Sequence, residues 1–382
     1  MERLLVLSFS AFPGVTRLIM FLAIGLFFSN NYYVEFSNLY FQAMLYSAVI
    51  GTGFGTYALK NTKSSNLRDM LILCLYGAAS VVPIFISLYF YTNSYVISTI
   101  VFIYGVSFSL LVFFRFEIIK NKKYRIGFAF ESIVSIGTLI IIVISYILGS
   151  NVTTVFLYLT LYNFSLIVIY KLLYKGDGLE IKFISPTKIG FSNLSSSGIV
   201  FIIPLVIAKI GNSNLSGIIS DITVMMGIIT LIPRSHTNYK IPDLILLFKN
   251  NSKDFSKELH KVCLTNLAIA STGIAILLSL LYIKWGLVDI STIIFVIIIT
   301  LYYVVGQYFM PDSILINTSG QENTSLAVNT TILGLFIALC YLLISYASLQ
   351  LSYNAVLIPA FLLLAGIIKF AIYRYNLLRM VR

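Results

Sequence analysis

The sequence predicts an all-α, polytopic membrane protein with about twelve transmembrane helices, arranged as two parallel six-helix halves around a central cavity. Hydrophobic residues make up 59% of the chain and charged residues only 10%, with a mean hydropathy of +0.94. A soluble domain has about 25% charged residues. The length of the apolar runs and the one-sided distribution of the cations complete the evidence, so the chain is predicted to lie in a bilayer.

Twelve apolar runs are long enough to cross the ~30 Å hydrocarbon layer of a bilayer. Each predicts a helix, because lipid offers no hydrogen-bond partner to unpaired backbone groups and cannot accept open sheet edges. The runs lie at about 4–29, 33–58, 69–91, 95–114, 127–148, 152–174, 189–210, 214–233, 262–283, 289–310, 325–347 and 353–374.

The Lys and Arg residues set the predicted orientation. With Met1 in the cytoplasm, all of the 26 except Arg17, Lys209 and Lys284 fall in segments on the inner side. This is the positive-inside distribution, and it predicts cytoplasmic termini. The cations are spread over short segments instead of one folded face, so the net charge of +12 indicates contact with membrane lipids and not with nucleic acid.

A cation-rich stretch divides the chain into two sets of six crossings. Six is an even number, so the second set enters the membrane with the orientation of the first, which predicts a parallel repeat. Pro13 followed by Arg17, and Pro204 followed by Lys209, open the two halves in a similar way. The predicted parts are an N-terminal half at 1–174, a cytoplasmic linker at 175–188 and a C-terminal half at 189–382.

Two inner segments, 115–126 and 241–262, place apolar residues among lysines at three- to four-residue spacing. This pattern is typical of helices that lie in the headgroup plane, and anchoring to anionic lipid is the expected role of both. The glycines at 51, 53 and 55 predict close helix packing and not a nucleotide site, because they follow no strand.

Cys74, Cys263 and Cys340 fall inside predicted helices without paired spacing, so we expect packing residues. No residue spacing suits a metal or catalysis. The sequence therefore predicts neither metal, cofactor nor enzymatic site.

Arg17 is the principal candidate for a substrate-binding residue. At 1.5 Å per residue it lies roughly 20 Å into the first helix, where an arginine costs at least ~2.5–3.5 kcal/mol and must face protein or water. Its planar fork can donate two parallel hydrogen bonds to a phosphate. The alternative is a structural arginine that pairs with a carboxylate or with carbonyls freed by Pro13.

Lys209, Arg115 and Arg234 are further candidates for substrate binding. Lys209 lies near an outer helix end, where it could also extend to the interface. Arg115 and Arg234 lie at inner helix ends, where they could line a cytoplasmic opening or simply determine topology. Asp221 is the acidic residue placed clearly within a crossing, and it could couple transport to an ion or pair with Lys209.

Two stretches resemble a known family. They are 12–17, which reads Phe-Pro-Gly-Val-Thr-Arg, and 208–217, which bears Gly211 and Gly217. The chain resembles the polysaccharide flippases of the multidrug/oligosaccharidyl-lipid/polysaccharide exporter superfamily, in the O-antigen translocase branch. Arg17 matches the cationic cavity position of that family, and the two glycines match a turn. Residues 30–33 depart from it, with Asn and Tyr where glycines are expected.

The resemblance implies a flippase that moves an undecaprenyl-diphosphate-linked oligosaccharide to the outer leaflet of a bacterial inner membrane. Its cargo would serve O-antigen, lipopolysaccharide or related surface polysaccharide synthesis, and its implied partners include other polysaccharide-assembly membrane proteins. Two alternatives stay open: an ion-coupled drug or small-molecule antiporter of the same fold, and a membrane polysaccharide polymerase. The short outer connections disfavour the polymerase.

Overall fold

In a computed structural model the chain is helical, without a strand in the part described. That part comprises 2–60, 92–121, 123–173, 190–209, 213–250, 254–286, 289–318, 322–345 and 351–381, with isolated positions between 65 and 89. The chain divides into two compact units, an N-terminal unit, Met1–Leu205, and a C-terminal unit, Val206–Arg382. The linker predicted at 175–188 lies outside the described residues, so the division into halves at that segment stays a prediction.

Long apolar runs form the helices of the N-terminal unit. They are α1 Glu2–Phe27, α2 Asn30–Lys60, α3 Tyr95–Lys120, α4 Tyr124–Ile147, α5 Val152–Leu173 and α6 Ile199–Lys209. Helix α2 is central and packs along most of α3, while α1 packs on α4. Helix α5 completes the bundle against α3 and α4. A π-helical turn, Leu194–Gly198, also contacts α2 and leads into α6.

Helix α2 is less apolar than its neighbours because protein, and not lipid, surrounds it. Asn38, Gln42 and Ser47 are buried along it together with a run of aromatic side chains. Gly51 and Gly55 lie against α3, where an added Cβ would meet the backbone oxygen of Ser109 and the ring of Phe116. The predicted packing role of these two glycines is confirmed.

The C-terminal unit is a second helical bundle. Its helices are α7 Ser213–Ile229, α8 Leu231–Lys249, α9 Phe255–Trp285, α10 Ile290–Tyr308, α11 Met310–Thr318, α12 Glu322–Ser345 and α13 Leu351–Val381. Helix α13 packs on α10, α11 and α12, while α9 packs on α7, α8 and α10. Pro359 lies inside α13.

Apart from α8 and α11, the described helices coincide with predicted crossings. Eight of them are long and apolar enough to span a membrane, and shorter apolar helices lie at Phe12–Phe27 and Ile199–Ala208. The crossing predicted at 69–91 lies outside the described residues apart from scattered positions. The chain is therefore a polytopic all-α membrane protein.

Neither of the two segments predicted to lie in the headgroup plane forms a helix of its own. Residues 241–262 form the end of α8, a connection, and the start of α9, and residues 115–126 form the end of α3 and the start of α4. The periodic apolar residues of the first segment, including Leu244, Phe255 and Leu259, are buried in a core with Leu315 and Leu377. Their spacing reported a buried face, and protein covers that face in the described part of the chain.

Candidate functional site

Helix α1 carries Arg17 into the interior of the N-terminal unit. The helix end at Phe27 lies ten positions after Arg17, which corresponds to ~15 Å along the axis. Pro13 lies one turn earlier inside the same helix and has no amide hydrogen to donate. The guanidinium is therefore remote from both helix ends, as the sequence predicted.

A small cavity opens beside Arg17 inside this bundle. Its volume is about 30 Å³, which suffices for roughly two water molecules. All five long helices described in this unit contribute to its wall, and both Arg17 and Arg115 border it. The remaining lining residues are Pro13, Thr16, Met20, Tyr40, Tyr104, Phe108, Leu111, Val134, Thr138, Leu159 and Asn163.

Arg17 has aromatic and hydroxyl neighbours. Its Nε donates to the Tyr40 hydroxyl at 3.1 Å, and its guanidinium carbon lies 5.8 Å from the Tyr40 ring centroid and 5.9 Å from that of Phe201. Among the described residues no carboxylate lies within ion-pair distance of Arg17. Neither Nη group donates a hydrogen bond there either, so Arg17 lines the cavity with both Nη groups unused within the described part of the chain.

Arg115 borders the same cavity but forms an ion pair. Its Nε and Nη2 donate to the two carboxylate oxygens of Glu131 on α4, at 2.5 and 2.9 Å. The Glu131 side chain is fully buried, whereas that of Arg115 is 11% exposed. The guanidinium carbon also lies 5.7 Å from the Phe108 ring centroid. Arg115 lines the cavity whereas Glu131 does not, and the two hydrogen bonds leave Nη1 of Arg115 without a partner among the described residues.

Polar side chains that line the cavity form hydrogen bonds within and between the helices. The Thr16 hydroxyl donates to the Phe12 carbonyl oxygen at 2.9 Å and contacts the Ser135 hydroxyl of α4. Asn163 on α5 donates to the Ser107 hydroxyl at 3.3 Å. These contacts hold α1, α4 and α5 around the two arginines.

The remaining predicted site residues lie in other surroundings. Arg234 lies in the first turn of α8 with its side chain exposed. The side chain of Lys209 lies outside the described residues, and so does the predicted pair between Lys209 and Asp221. Asp221 on α7 accepts hydrogen bonds from Lys284 Nζ and Trp285 Nε1, each at 2.7 Å. Its carboxylate is thus engaged by two donors of α9.

The family resemblance predicts a turn at Gly211 and Gly217, but Gly217 lies within α7. A Cβ there would meet the Trp285 ring at 2.7 Å, so the missing side chain lets the indole lie against the helix and reach Asp221. Gly211 lies outside the described residues.

Sequence reasoning missed several buried charges. The cation distribution predicts that Lys171 lies at the inner membrane surface. Instead its side chain is buried and donates hydrogen bonds to Glu117 and to Ser65. In the C-terminal unit, Arg374 forms a two-point pair with Asp312, and its Nη2 lies 3.2 Å from the Cys263 sulfur. The scarcity of carboxylates was the available signal, since a carboxylate inside a crossing requires a partner.

Comparisons with known proteins identify the fold. No family model matches the chain, and no curated protein matches it. Several solved structures match the chain. A MATE in complex with Br-NRF has a TM-score of 0.57 and 12% identity over 100% of this chain and 96% of its own. An inward-facing multidrug resistance MATE family transporter of the MOP superfamily has a TM-score of 0.57 and 14% identity. That match covers 100% of this chain and 95% of the transporter.

A third similar structure is a MOP superfamily transporter from Pyrococcus furiosus, described as having a binding pocket of reversed polarity that suggests a different function. It has a TM-score of 0.54 and 13% identity over 100% of this chain and 96% of its own. The full-length coverage shows that the chain has the fold of the MATE transporters of the MOP superfamily.

Proposed function

We propose that this protein translocates an undecaprenyl-diphosphate-linked oligosaccharide from the cytoplasmic to the outer leaflet of a bacterial inner membrane. The observation that carries the proposal is the Arg17 guanidinium, which borders a cavity without a carboxylate partner among the described residues. Its unused donors match phosphate oxygens, which accept bidentate, charge-assisted hydrogen bonds from arginine. The transporter fold supports movement of a cargo across the bilayer.

The electrostatics of the site favour an anion. Arg17 and Arg115 supply two positive charges and Glu131 one negative charge, so the groups at the cavity sum to a net positive charge. A fixed cation offsets part of the desolvation cost that a diphosphate pays on leaving water. The inside-negative membrane potential favours outward movement of an anion by ~2.3 kcal/mol per charge per 100 mV.

The cavity volume implies a conformational step. About 30 Å³ admits water but no sugar. Loading therefore requires helices of the N-terminal unit to move apart around Arg17, as alternating access demands. In this proposal the lipid tail stays in the bilayer while the diphosphate binds the arginine.

The main alternative is an ion-coupled drug antiporter, because one structural neighbour is described as a multidrug resistance transporter. Such a protein needs a carboxylate that can bind the coupling ion. Lys284 and Trp285 engage the Asp221 carboxylate, which disfavours it for that role. A polymerase is disfavoured because the sequence predicts only short outer connections, at about 30–32, 92–94, 149–151, 211–213, 284–288 and 348–352.

The decisive experiment is complementation of a flippase-deficient bacterium, with surface polysaccharide as the readout. We expect Arg17→Ala to reduce export about 10- to 100-fold, since it removes charge-assisted hydrogen bonds worth ~1.5–3 kcal/mol. Arg17→Lys should retain part of the activity because it keeps the charge but loses the fork. Arg125→Ala is the matched control, because Arg125 is exposed on α4.

Full export by Arg17→Ala, at wild-type levels of protein in the membrane, excludes Arg17 from the site. Gradient-driven drug efflux that survives Arg17→Ala and is lost in Asp221→Asn supports the antiporter instead.

A further inference from the structure

We propose that Arg115, positioned by Glu131, is the second anion ligand of this site and makes it selective for a diphosphate over a monophosphate headgroup. The inference deepens the proposed function and rests on it. It assigns different parts to the two arginines: Arg17 binds one phosphoryl group, and Arg115 binds the other.

The geometry of Arg115 leaves one edge available. A guanidinium has five N–H donors, and the Glu131 carboxylate engages Nε and Nη2. Among the described residues Nη1 has no hydrogen-bond partner. The two hydrogen bonds and the Phe108 ring restrict the orientation of the guanidinium, and both Arg115 and Phe108 line the cavity. In this proposal Nη1 is the donor that the ligand uses.

Arg17 is arranged in a comparable way. Its Nε is anchored to the Tyr40 hydroxyl, and both Nη groups are unused within the described part of the chain. The anchoring rings of the two sites are neighbours, since the centroids of Tyr40 and Phe108 are 6.4 Å apart. Two anchored forks therefore face one cavity from α1 and α3, which suits a ligand with two adjacent phosphoryl groups.

Glu131 acts through Arg115 and is fully buried. An unpaired Arg115 could turn toward the C-terminal end of α3, because the helix ends at Lys120, five positions further on. The bidentate pair prevents this rotation. It also neutralises the charge of Arg115, so the contribution of this residue depends on directional hydrogen bonds more than on net charge.

The test measures selectivity with charge-matched probes. Purified full-length protein in detergent is titrated at pH 8 with an isoprenyl monophosphate and with the methyl ester of the corresponding isoprenyl diphosphate. Both carry about two negative charges, because the second ionisation of a phosphate monoester has a pKa near 6. A difference in Kd then reports the reach of the second phosphoryl group and not the total charge.

We expect wild type to bind the diphosphate ester about 10- to 100-fold more tightly, the value of one charge-assisted contact. The double variant Arg115→Gln with Glu131→Gln removes the pair without leaving a buried charge. It should reduce the preference to within about threefold and leave the Kd of the monophosphate unchanged. Arg17→Ala should weaken both probes.

Glu131→Gln tests the positioning role. It raises the net charge of the site and should tighten both probes, but it should also lower the ratio of the two Kd values because Arg115 loses its anchor. A purely structural role of Glu131 would leave this ratio unchanged. An unchanged ratio therefore removes Glu131 from the proposal.

The outcomes separate the two proposals. If wild type binds both probes equally, or if the double variant keeps the preference or weakens both probes alike, the inference is wrong while the anion site at Arg17 stands. If wild type binds neither probe, the proposed function fails as well. Should the double variant not fold, as judged by gel filtration, Arg115→Lys replaces it: an intermediate ratio supports the proposal, and an unchanged ratio overturns it.

Discussion

The buried cluster of Lys171, Glu117 and Ser65 gives the sharpest test of the packing in the N-terminal unit. Lys171 Nζ donates to Glu117 Oε2 at 2.6 Å and to the carbonyl and hydroxyl oxygens of Ser65 at 2.9 and 2.8 Å. The Ser65 amide donates to Glu117 Oε1 at 2.7 Å. The perturbation is Lys171→Met, which keeps the length of the side chain and removes its charge.

The magnitude follows from burial. The two charged side chains are 2% and 4% exposed, so almost all of their hydration is lost. At an effective dielectric constant near 20, two unit charges 2.6 Å apart attract by ~6 kcal/mol, which the desolvation of both ions largely offsets. Removing one partner leaves the other buried and uncompensated. We therefore expect Lys171→Met to cost ~3–5 kcal/mol of unfolding free energy.

A double-mutant cycle provides the assay. Glu117→Gln keeps an acceptor for the Ser65 amide, and in combination with Lys171→Met it leaves no buried charge. We expect the double variant to recover to within ~1–2 kcal/mol of wild type, measured by denaturant unfolding of purified protein in one detergent. Additive losses, or a cost below ~1 kcal/mol for Lys171→Met, would refute the reasoning, because either result means that water reaches the cluster.

Three further predictions concern single side chains. The Gln42 amide is buried without a hydrogen-bond partner in the described chain. Gln42→Leu should therefore stabilise the fold by ~1–3 kcal/mol, measured by thermal unfolding. Lower polysaccharide export by this stabilised variant would indicate that Gln42 contacts the sugar. Gly217→Ala should displace the indole of Trp285 from Asp221, with a shift in the emission of this single tryptophan. Hydrogen bonds from Ser291 and Thr292 lower the pKa of the Asp289 carboxyl at the start of α10. Its stabilising contribution should therefore be present at neutral pH and lost as the pH falls through that lowered pKa, and Asp289→Asn should remove this pH dependence of unfolding.

The sequence predicted the helices well because the length of an apolar run reports the thickness of the bilayer directly. Helix α2 shows where hydropathy becomes a weaker signal. Its Asn38, Gln42 and Ser47 lower the hydropathy of a helix that is buried in protein, and only its contacts with α3 reveal that position. The 241–262 segment failed for a related reason, since periodicity reports that one face is buried but not whether lipid or protein covers it.

The site could be predicted in part. The depth of Arg17 in its helix follows from counting residues, so its placement in the interior was accessible. The pairing of Arg115 with Glu131 joins two helices across a connection, and that of Arg374 with Asp312 spans 62 positions of the chain. Such pairs depend on tertiary packing, which no spacing rule encodes. Asp221 likewise bonds to residues 63 and 64 positions away.

The ion pairs distinguish cations that serve the fold from cations that border the cavity. Arg115 pairs with Glu131 but lines the cavity together with Arg17. Lys171, Lys284 and Arg374 each pair with a carboxylate and do not line it, although the chain has only 14 acidic residues for 26 Lys and Arg. An ion pair of this kind can be explained by folding alone. Arg17 has two aromatic rings and one hydroxyl instead, which compensate a charge much less than a carboxylate does. In the proposed function, the diphosphate of the cargo supplies the counter-charge that the described residues do not offer to Arg17.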